Sequence, residues 1–299
     1  MTVLSLQHPN AALPIRWHAV LWFIAVHLLG VAAMWYLYAV YFSWATIALA
    51  AVLFLMCHLS ITAGMHRLHA HRTYRATKGL EVLLLLLSAT AFQFSNYGWS
   101  FFHRMHHWFE DTDRDPYSVK HGFWWAHFRW ILHTPPQVNP QSVKDLERNK
   151  LVMWQDRNYY PLAILIGLVF PTALASLWGD ALGGLLVAVF LRLVFQYHFT
   201  WSINSVAHRY GSFRYVPMGT ARTQGHWMWF PAITVGEGTA HERHHHAHED
   251  YRIDPRWWAL DLGKWFIQLC SLIGLASDLR TVSEDKVCER ARRKLLRRP

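Results

Sequence analysis

Histidine is concentrated in three short segments of this chain. They read His66-Arg67-Leu68-His69-Ala70-His71 (box one), His103-Arg104-Met105-His106-His107 (box two) and His241-Glu242-Arg243-His244-His245 (box three). Neutral imidazole is a common metal ligand, and it suits iron, copper, zinc and nickel. Each box accompanies a long apolar stretch, which is unexpected if the 21 histidines were scattered by chance. We therefore predict that the boxes bind metal at a membrane.

The spacing within the boxes suits helices. On a helix, residues three or four apart share a face, so the first histidine of box two pairs with either of the last two. Box three repeats this arrangement. A mononuclear site takes about four ligands. Nine or more candidate imidazoles therefore indicate two metals.

The elements that must position the boxes are predicted to be membrane-spanning helices. The chain is 53% hydrophobic and only 16% charged, whereas ordinary soluble domains carry about 25% charged residues. Four apolar runs approach the roughly 20 residues that a helix needs to cross a bilayer. These runs cover about residues 18–40, 45–64, 161–178 and 181–204. Short turns at residues 41–44 and 179–180 join them in pairs.

We therefore predict an all-α integral membrane protein with four transmembrane helices in two hairpins. One domain is expected to cover residues 1–299, with the boxes in a helical cap formed by residues 65–160 and 205–299. A fifth apolar stretch, residues 82–92, is too short to span a bilayer and is expected to form an interfacial or buried helix.

The distribution of positive charge predicts the orientation. Residues 66–160 hold 12 Lys or Arg, residues 205–299 hold 15, and the two short turns hold none. By the positive-inside rule, the cap and both termini face the cytoplasm, and a bacterial inner membrane is the expected location. The net charge of +10 suits anionic lipid next to the loops and tail, so no nucleic-acid partner is expected. The basic tail comprises Arg290, Arg292, Arg293, Lys294, Arg297 and Arg298.

Two further features concern the compartment. The three cysteines show no pairing pattern, which is consistent with a reducing environment. The first residues lack the short apolar region and cleavage site of a signal peptide, so Met1 is expected to begin the mature protein.

Further motifs surround the boxes in a fixed order. They are Thr62-Ala63-Gly64-Met65 before box one, Ala91-Phe92-Gln93 and Trp99 before box two, the acidic Glu110, Asp113 and Asp115 after it, then Gly122-Phe123-Trp124-Trp125-Ala126-His127, Asn204-Ser205-Val206-Ala207-His208 and Gly236-Glu237-Gly238. With these motifs between about residues 61 and 251, the chain resembles the integral-membrane fatty acyl desaturases, the group that includes stearoyl-CoA desaturase and bacterial members.

This resemblance implies that nine histidines hold two irons, and that Asn204 contacts one iron through water. The nine are His66, His71, His103, His106, His107, His208, His241, His244 and His245. Iron cycling between Fe2+ and Fe3+ would activate O2 to remove two hydrogens from adjacent methylenes of an acyl chain, leaving a cis alkene. Unactivated C–H bonds require such an oxidising metal. The additional His69, His246 and His248 match no ligand, and their role is left open.

The resemblance also implies a bent substrate tunnel. Trp99, Gln93 and Thr200 match residues at its bend, which favours a Δ9 double bond. His58 and Phe54 occupy positions that border its far end. We hypothesise that His58, bulkier than the small residue common there, shortens the accepted chain toward palmitoyl or less. The alternative is an imidazole turned aside to a neighbouring helix.

The acyl carrier and the electron supply depend on fewer residues. Lys120 remains where animal members carry several cations, Arg129 is an additional one, and the segment continues into Thr134-Pro135-Pro136. We expect CoA as the carrier, with acyl carrier protein or intact phospholipid as alternatives. Arg192, inside the fourth run, is a functional-site candidate or a residue paired within the bundle. The chain lacks haem, iron–sulfur and nucleotide motifs, so a separate reductase and a small electron-transfer protein must supply electrons.

Two other classes of protein remain open. A related membrane diiron hydroxylase of the alkane, sterol or carotenoid type shares histidine boxes but inserts oxygen. A histidine-rich metal transporter would place its ligands within the spans along a path across the bilayer. The boxes of this chain are instead expected on one side.

Overall fold

The described residues are mostly helical, with strand confined to two short segments. The computed structural model describes residues 13–133, 143–224 and 227–296. The helices in chain order are α1 (Trp17–Ala39), α2 (Trp44–Leu59), α3 (Lys78–Ala89), α4 (Asn96–Phe109), α5 (Phe123–His127), α6 (Lys144–Arg148), α7 (Lys150–Arg157), α8 (Tyr159–Ile164), α9 (Phe170–Ser176), α10 (Ala181–Gly183), α11 (Arg192–Ser205), α12 (Trp229–Ile233), α13 (His241–His246), α14 (Leu262–Leu272) and α15 (Glu284–Leu296).

Three π-helical segments continue these helices. They are π1 (Ser60–Ala70) after α2, π2 (Leu165–Val169) between α8 and α9, and π3 (Gly184–Leu191) between α10 and α11. The two-residue strands β1 (Arg75–Ala76) and β2 (Ala276–Ser277) form an antiparallel pair.

Four helical stretches are long and apolar enough to cross a membrane, by length and composition. They are Trp17–Ala39, Trp44–Ala70, Tyr159–Ser176 and Ala181–Ser205. The predicted fold class, four transmembrane helices in two hairpins with a helical cap, is confirmed. The fifth apolar stretch lies largely in α3, whose 12 residues are too few to span a bilayer.

The second span is longer than the sequence predicts. The apolar run ends near Gly64, but the helix continues to Ala70 through π1. His66 and His69 therefore lie on this helix and not after it. The prediction fell short because hydropathy marks the end of an apolar run, whereas the helix follows its backbone hydrogen bonds.

The fourth span lies at the centre of the bundle and packs against the other three. Small residues allow the close approach. A Cβ added to Gly184 would lie 2.5 Å from the Cβ of Ala175, and one added to Gly30 would lie 2.7 Å from a methyl of Val194. Helices in a bilayer associate through such close packing, because lipid supplies no hydrophobic driving force between them.

A buried carboxylate joins the two hairpins at the end of the spans away from Ser205. Asp180 accepts hydrogen bonds from the Tyr36 hydroxyl at 2.6 Å, the Gly183 backbone N–H at 2.9 Å and the Thr46 hydroxyl. These donors satisfy a charge that would otherwise be costly to bury. Asp180, in the turn between the third and fourth spans, therefore has a structural role.

The cap surrounds π1. Helices α3, α4 and α14 pack against this segment, and Ala63, Leu84 and Ile267 belong to one buried cluster that joins π1, α3 and α14. The outer face of α14 is apolar and exposed. Its exposed residues include Trp265, Leu269 and Leu272. An amphipathic helix of this kind suits the membrane interface, and the sequence analysis did not predict it.

Candidate metal centre

The five-residue spacing of box one matches the turn of π1. The His71 backbone N–H donates to the His66 carbonyl at 3.0 Å, which is the i to i+5 bond of a π-turn. The two imidazole rings consequently lie on the same side, with centroids 4.8 Å apart. An α-helix would have turned them apart. The spacing of five in the sequence is thus explained by the π-turn.

Boxes two and three lie on α4 and α13 as predicted. The side chain of Ser95 caps the start of α4 by accepting from the Gly98 N–H at 3.2 Å. On α4, the Nε2 atoms of His103 and His107 lie 3.1 Å apart, so the i, i+4 pair faces one site. In boxes two and three, the middle histidine points to a different site from the other two histidines of its box. These middle residues are His106 on α4 and His244 on α13.

The structure brings all nine predicted ligands together in two groups. The first group is His66, His71, His103, His107 and His244, whose nearest ring nitrogens all lie within 4.8 Å of one another. The second is His106, His208 and His245, joined by His241, whose Nε2 lies 2.9 Å from that of His208 and 3.3 Å from that of His245.

The nitrogen spacing fits a metal ion. Neighbouring Nε2 atoms in the first group are 2.8 to 3.1 Å apart. Metal–imidazole bonds of about 2.1 Å place ligands at right angles about 3.0 Å apart and opposite ligands about 4.2 Å apart. The donor atoms therefore have the separations that a coordinated ion requires.

The electrostatics favour the neutral form of seven of the nine imidazoles. Burial, reinforced by the neighbouring rings, holds the pKa of these histidines well below the ordinary value. The residues concerned are His71, His103, His107, His208, His241 and His244. Burial also lowers the pKa of His245, to about 4. Neutral imidazole is the form that binds metal.

Carboxylates outside the two groups fix the orientation of three rings. The Nδ1 of His66 lies 3.0 Å from Glu237, that of His106 lies 3.0 Å from Asp115, and that of His245 lies 3.2 Å from Glu110. An N–H that donates from Nδ1 leaves the Nε2 lone pair for the metal. At His208, the Thr220 hydroxyl takes the position that a carboxylate has at the other three rings. Its oxygen lies 2.9 Å from the Nδ1 of His208, and the hydroxyl donates to Asp111.

The sequence analysis noted three of these acids without assigning them this role. The signal that would have found them is an acidic residue within ten positions of a box: Glu110 and Asp115 follow box two, and Glu237 precedes box three. Gly236 is required beside Glu237, since it has a φ of 99° and an added Cβ would lie 2.4 Å from the Asp261 Cα.

Each box also carries a buried arginine that holds the surrounding backbone. Arg67 donates to Glu237 at 3.0 Å, to Asp261 at 2.7 Å and to a backbone carbonyl. Burial alone would raise the pKa of Glu237, but His66 and Arg67 hold it well below its usual range. Arg104 in box two pairs with Asp145 at 2.6 Å, and Arg243 in box three pairs with Asp250 at 2.9 Å. The sequence analysis did not identify this role.

An apolar cavity lies against the histidines. It has a volume of about 60 Å³, and its wall includes His66, His103, His241 and Asn204. The three predicted bend residues, Trp99, Gln93 and Thr200, also line it. The Trp99 ring stacks on His103 with centroids 4.9 Å apart.

A larger cavity of about 490 Å³ continues from the small one. The two share Gln93, Phe94, Ile131 and Trp201 in their walls. The larger cavity runs between the start of α1 and α8, at Arg16 and Tyr160. These two adjoining apolar cavities, here called the passage, border the histidine groups.

The structure separates the two predicted far-end residues from this passage. His58 is buried, and its Nδ1 accepts a hydrogen bond from the Gln196 amide on the fourth span at 2.9 Å. This is the alternative of a histidine turned to a neighbouring helix, and it arises because a buried imidazole needs a hydrogen-bond partner. Phe54 lines a different groove, of about 330 Å³, between α2 and the fourth span.

The remaining histidines have distinct surroundings. His69 contacts Glu81 at 3.1 Å and the Gly64 carbonyl at 3.1 Å, so it joins π1 to α3. His246 is buried beside Tyr215. His248 is exposed, and its ring centroid lies 5.2 Å from that of His71 and 5.7 Å from that of His107.

Three cations were candidates for carrier binding or function, namely Arg192, Lys120 and Arg129. Arg192 is buried and donates to the carbonyls of Thr90 and Ala188, both at 3.1 Å. Lys120 donates to the Asp111 carbonyl at 2.8 Å, and Arg129 is exposed. Residues 134–136, together with Arg297 and Arg298 of the basic tail, lie outside the described residues.

The fold and the two histidine groups define an integral membrane protein with a candidate metal centre in its cap. The family model for fatty acid desaturases matches residues 42–238. Curated relatives agree. The chain is 41% identical to a probable acyl-CoA desaturase of Schizosaccharomyces pombe over 245 residues, which are 81% of this chain and 50% of that protein. It is 31% identical to an sn-1 stearoyl-lipid 9-desaturase of a Synechocystis species over 281 residues, 92% of this chain and 83% of that protein.

A mammalian relative is likewise named as a desaturase. The stearoyl-CoA desaturase of Sus scrofa is 36% identical over 255 residues, 83% of this chain and 70% of that protein. The chain spans half the length of the fission-yeast relative and most of the other two. The chain belongs to the fatty acid desaturase family. It is an oxidoreductase that desaturates fatty acyl chains.

Proposed function

We propose that this protein is an O2-dependent desaturase with two irons, which introduces a cis double bond at Δ9 of a saturated acyl chain carried by CoA. The observation that carries the proposal is the pair of histidine groups, with Nε2 spacings suited to metal and an apolar cavity against His66, His103 and His241. Neither a purely structural histidine cluster nor a transit path would require that cavity. The histidines lie at one end of the spans, unlike the path of a transporter.

The grouping of the histidines supports a ligand assignment. His66, His71, His103, His107 and His244 would hold one iron, and His106, His208, His241 and His245 the other; Asn204, in the wall of the adjoining cavity, would contact one iron through water. The irons would supply the oxidising chemistry that removes hydrogens from unactivated methylenes. A set of neutral imidazoles suits iron, and the carboxylates at their Nδ1 atoms hold the tautomer that presents Nε2.

The remaining residues bind and position the acyl chain. Trp99 packs on His103 and presents an apolar wall beside the ligands. Gln93 and Thr200 line the same cavity as His66 and His103, so an acyl chain that enters it would pass the first group closely. The apolar lining excludes water from the site. We propose that these three residues select the Δ9 bond.

The carrier, partners and location complete the proposal. Two of the relatives described above are named for acyl-CoA or stearoyl-CoA and one for stearoyl-lipid, so CoA is proposed first and acyl carrier protein or phospholipid second. A separate reductase and a small electron-transfer protein would supply electrons. The cap and both termini would face the cytoplasm of a bacterial inner membrane, following the positive-inside rule. Residues 1–299 would act as one domain.

The test is expression in a host that lacks unsaturated fatty acids, followed by double-bond mapping of its lipids. We expect cis Δ9 alkenes that disappear with His107→Ala, although the variant protein remains folded. An alcohol in place of an alkene would indicate a hydroxylase. Zinc without iron, together with no O2-dependent turnover after iron reconstitution, would indicate a metal transporter.

A further inference from the structure

The C-terminal helix covers the outer side of box three. Helix α15 packs against α13, and its buried Val287 joins Ala247 and Val282 in one apolar cluster. Arg290 anchors the helix further by pairing with Glu249 at 2.6 Å. The last two turns of α15 therefore lie next to the metal-binding segment.

Two short paths lead from this surface to the histidine groups. Lys294, with its side chain 41% exposed, donates to Glu110, whose side chain is only 7% exposed. Glu110 in turn accepts from the Nδ1 of His245 in the second group, at 3.2 Å. His248 is exposed, and its ring lies next to the rings of His71 and His107 in the first group. A partner bound here would reach both groups.

The C-terminal half of α15 is basic. Residues 290–296 hold four Lys or Arg and no Asp or Glu. Arg292 and Arg293 are exposed, and the Arg293 side chain is 66% exposed. Neither residue contacts a metal ligand or the carboxylates that orient the ligands; Arg293 pairs with Glu289 within α15. This charge complements an acidic protein surface.

A different surface of the cap is suited to the bilayer. Exposed aromatic and aliphatic residues gather on and just before α14, including Trp257, Trp258, Trp265, Leu269 and Leu272. Trp at this density is typical of a membrane interface. Most exposed side chains of α15 are charged instead. The α14 surface therefore suits the bilayer, whereas the α15 surface suits a charged partner.

We propose that α15 and His248 form the docking surface for a small acidic one-electron carrier protein. This inference rests on the proposed function, which needs electrons that the chain has no motif to generate. Each docked carrier would give up one electron and reduce one of the irons that the two histidine groups would hold. Two electrons and two protons, with O2, convert two C–H bonds into one alkene and two waters. Opposite charges on the partners steer the carrier to this surface.

The test measures binding and needs no turnover. The full chain in nanodiscs of phosphatidylcholine is immobilised, with and without iron, and oxidised plant-type [2Fe–2S] ferredoxin, an acidic carrier, is the probe. We expect affinity that falls with salt, and a dissociation constant raised about tenfold or more in Arg292→Glu/Arg293→Glu. The matched control is Arg75→Glu, whose side chain is 77% exposed on β1, and it should leave the constant within twofold.

The outcomes separate the competing explanations. An equal dissociation constant for the double variant and the wild type would overturn the proposal. If α15 instead lies on anionic lipid, phosphatidylglycerol in the nanodisc would protect its arginines from trypsin. Ferredoxin would then bind the double variant as tightly as the wild type, and this result would also overturn the proposal. A charge-dependent ferredoxin complex without any alkene product would support the docking surface and contradict the proposed function.

Discussion

Replacing Asp115 by alanine is expected to weaken metal binding at the second histidine group. Both carboxylate oxygens of Asp115 lie 3.0 Å from the Nδ1 of His106, and both side chains are buried. Burial opposes a charge on His106, yet Asp115 raises the pKa of this imidazole above its ordinary value. With a metal at Nε2, the same carboxylate stabilises the ring that donates from Nδ1.

The magnitude follows from the geometry. Without Asp115, the Nδ1–H of His106 has no acceptor in a buried site, and an unsatisfied buried donor costs about 1–3 kcal/mol. Loss of an outer partner of a metal-bound histidine typically costs about 10- to 100-fold in affinity, which corresponds to about 1.4–2.7 kcal/mol. Asp115→Asn keeps an oxygen acceptor without the charge, so its effect should lie between alanine and wild type.

The assay is a titration of the iron-loaded protein with a chelator, with retained iron measured per chain. The alanine variant should lose about half of its iron at a chelator concentration about 10- to 100-fold lower than the wild type. Asp113→Ala is the matched control on the same loop, because the Asp113 side chain is 70% exposed and contacts no ligand of either group. Superimposable curves for Asp115→Ala, Asp115→Asn and the wild type would refute the reasoning.

Three further substitutions test other parts of the molecule. His58→Ala removes the acceptor of the Gln196 amide between the second and fourth spans and should leave the chain length of the products unchanged in gas chromatography, because His58 lines neither cavity beside the histidine groups; a shift toward longer acyl chains would contradict this. Arg67→Met removes the guanidinium that pairs with the buried carboxylates of Glu237 and Asp261 and should cost about 3–5 kcal/mol, seen as a lower midpoint of thermal unfolding in detergent; an unchanged midpoint would contradict this. Asp180→Ala should cost about 1–3 kcal/mol with iron content unaltered, because it lies at the far end of the spans; iron loss would show that the ends are coupled.

The spans could be predicted from the sequence because bilayer thickness converts an apolar run directly into a helix length. The continuation of the second span through π1 could not, since composition does not mark a change from i+4 to i+5 hydrogen bonding. The spacing of His66 and His71 was nevertheless a signal for it. The exposed face of α14 was missed because its 11 residues fall short of a transmembrane run.

The site was predictable where residue type determines the chemistry. The three boxes were identified by the number and spacing of their histidines, whereas the nine ligands, including His208 outside the boxes, were named through the family resemblance. The outer carboxylates were not assigned, since Asp115 and Glu237 acquire their role only through contacts made in three dimensions. The hydrogen bond of His58 to Gln196 joins residues 138 positions apart. Nothing local in the sequence indicates that pairing.

We propose that the two histidine groups each bind one iron. This is measured by metal analysis of the purified protein, expressed in iron-replete medium. We predict two irons per chain in the wild type and a marked loss in His107→Ala, because His107 lies in the first group within 3.1 Å of two other ring nitrogens. A wild-type protein that is folded and holds a single metal, or zinc without iron, would contradict the account.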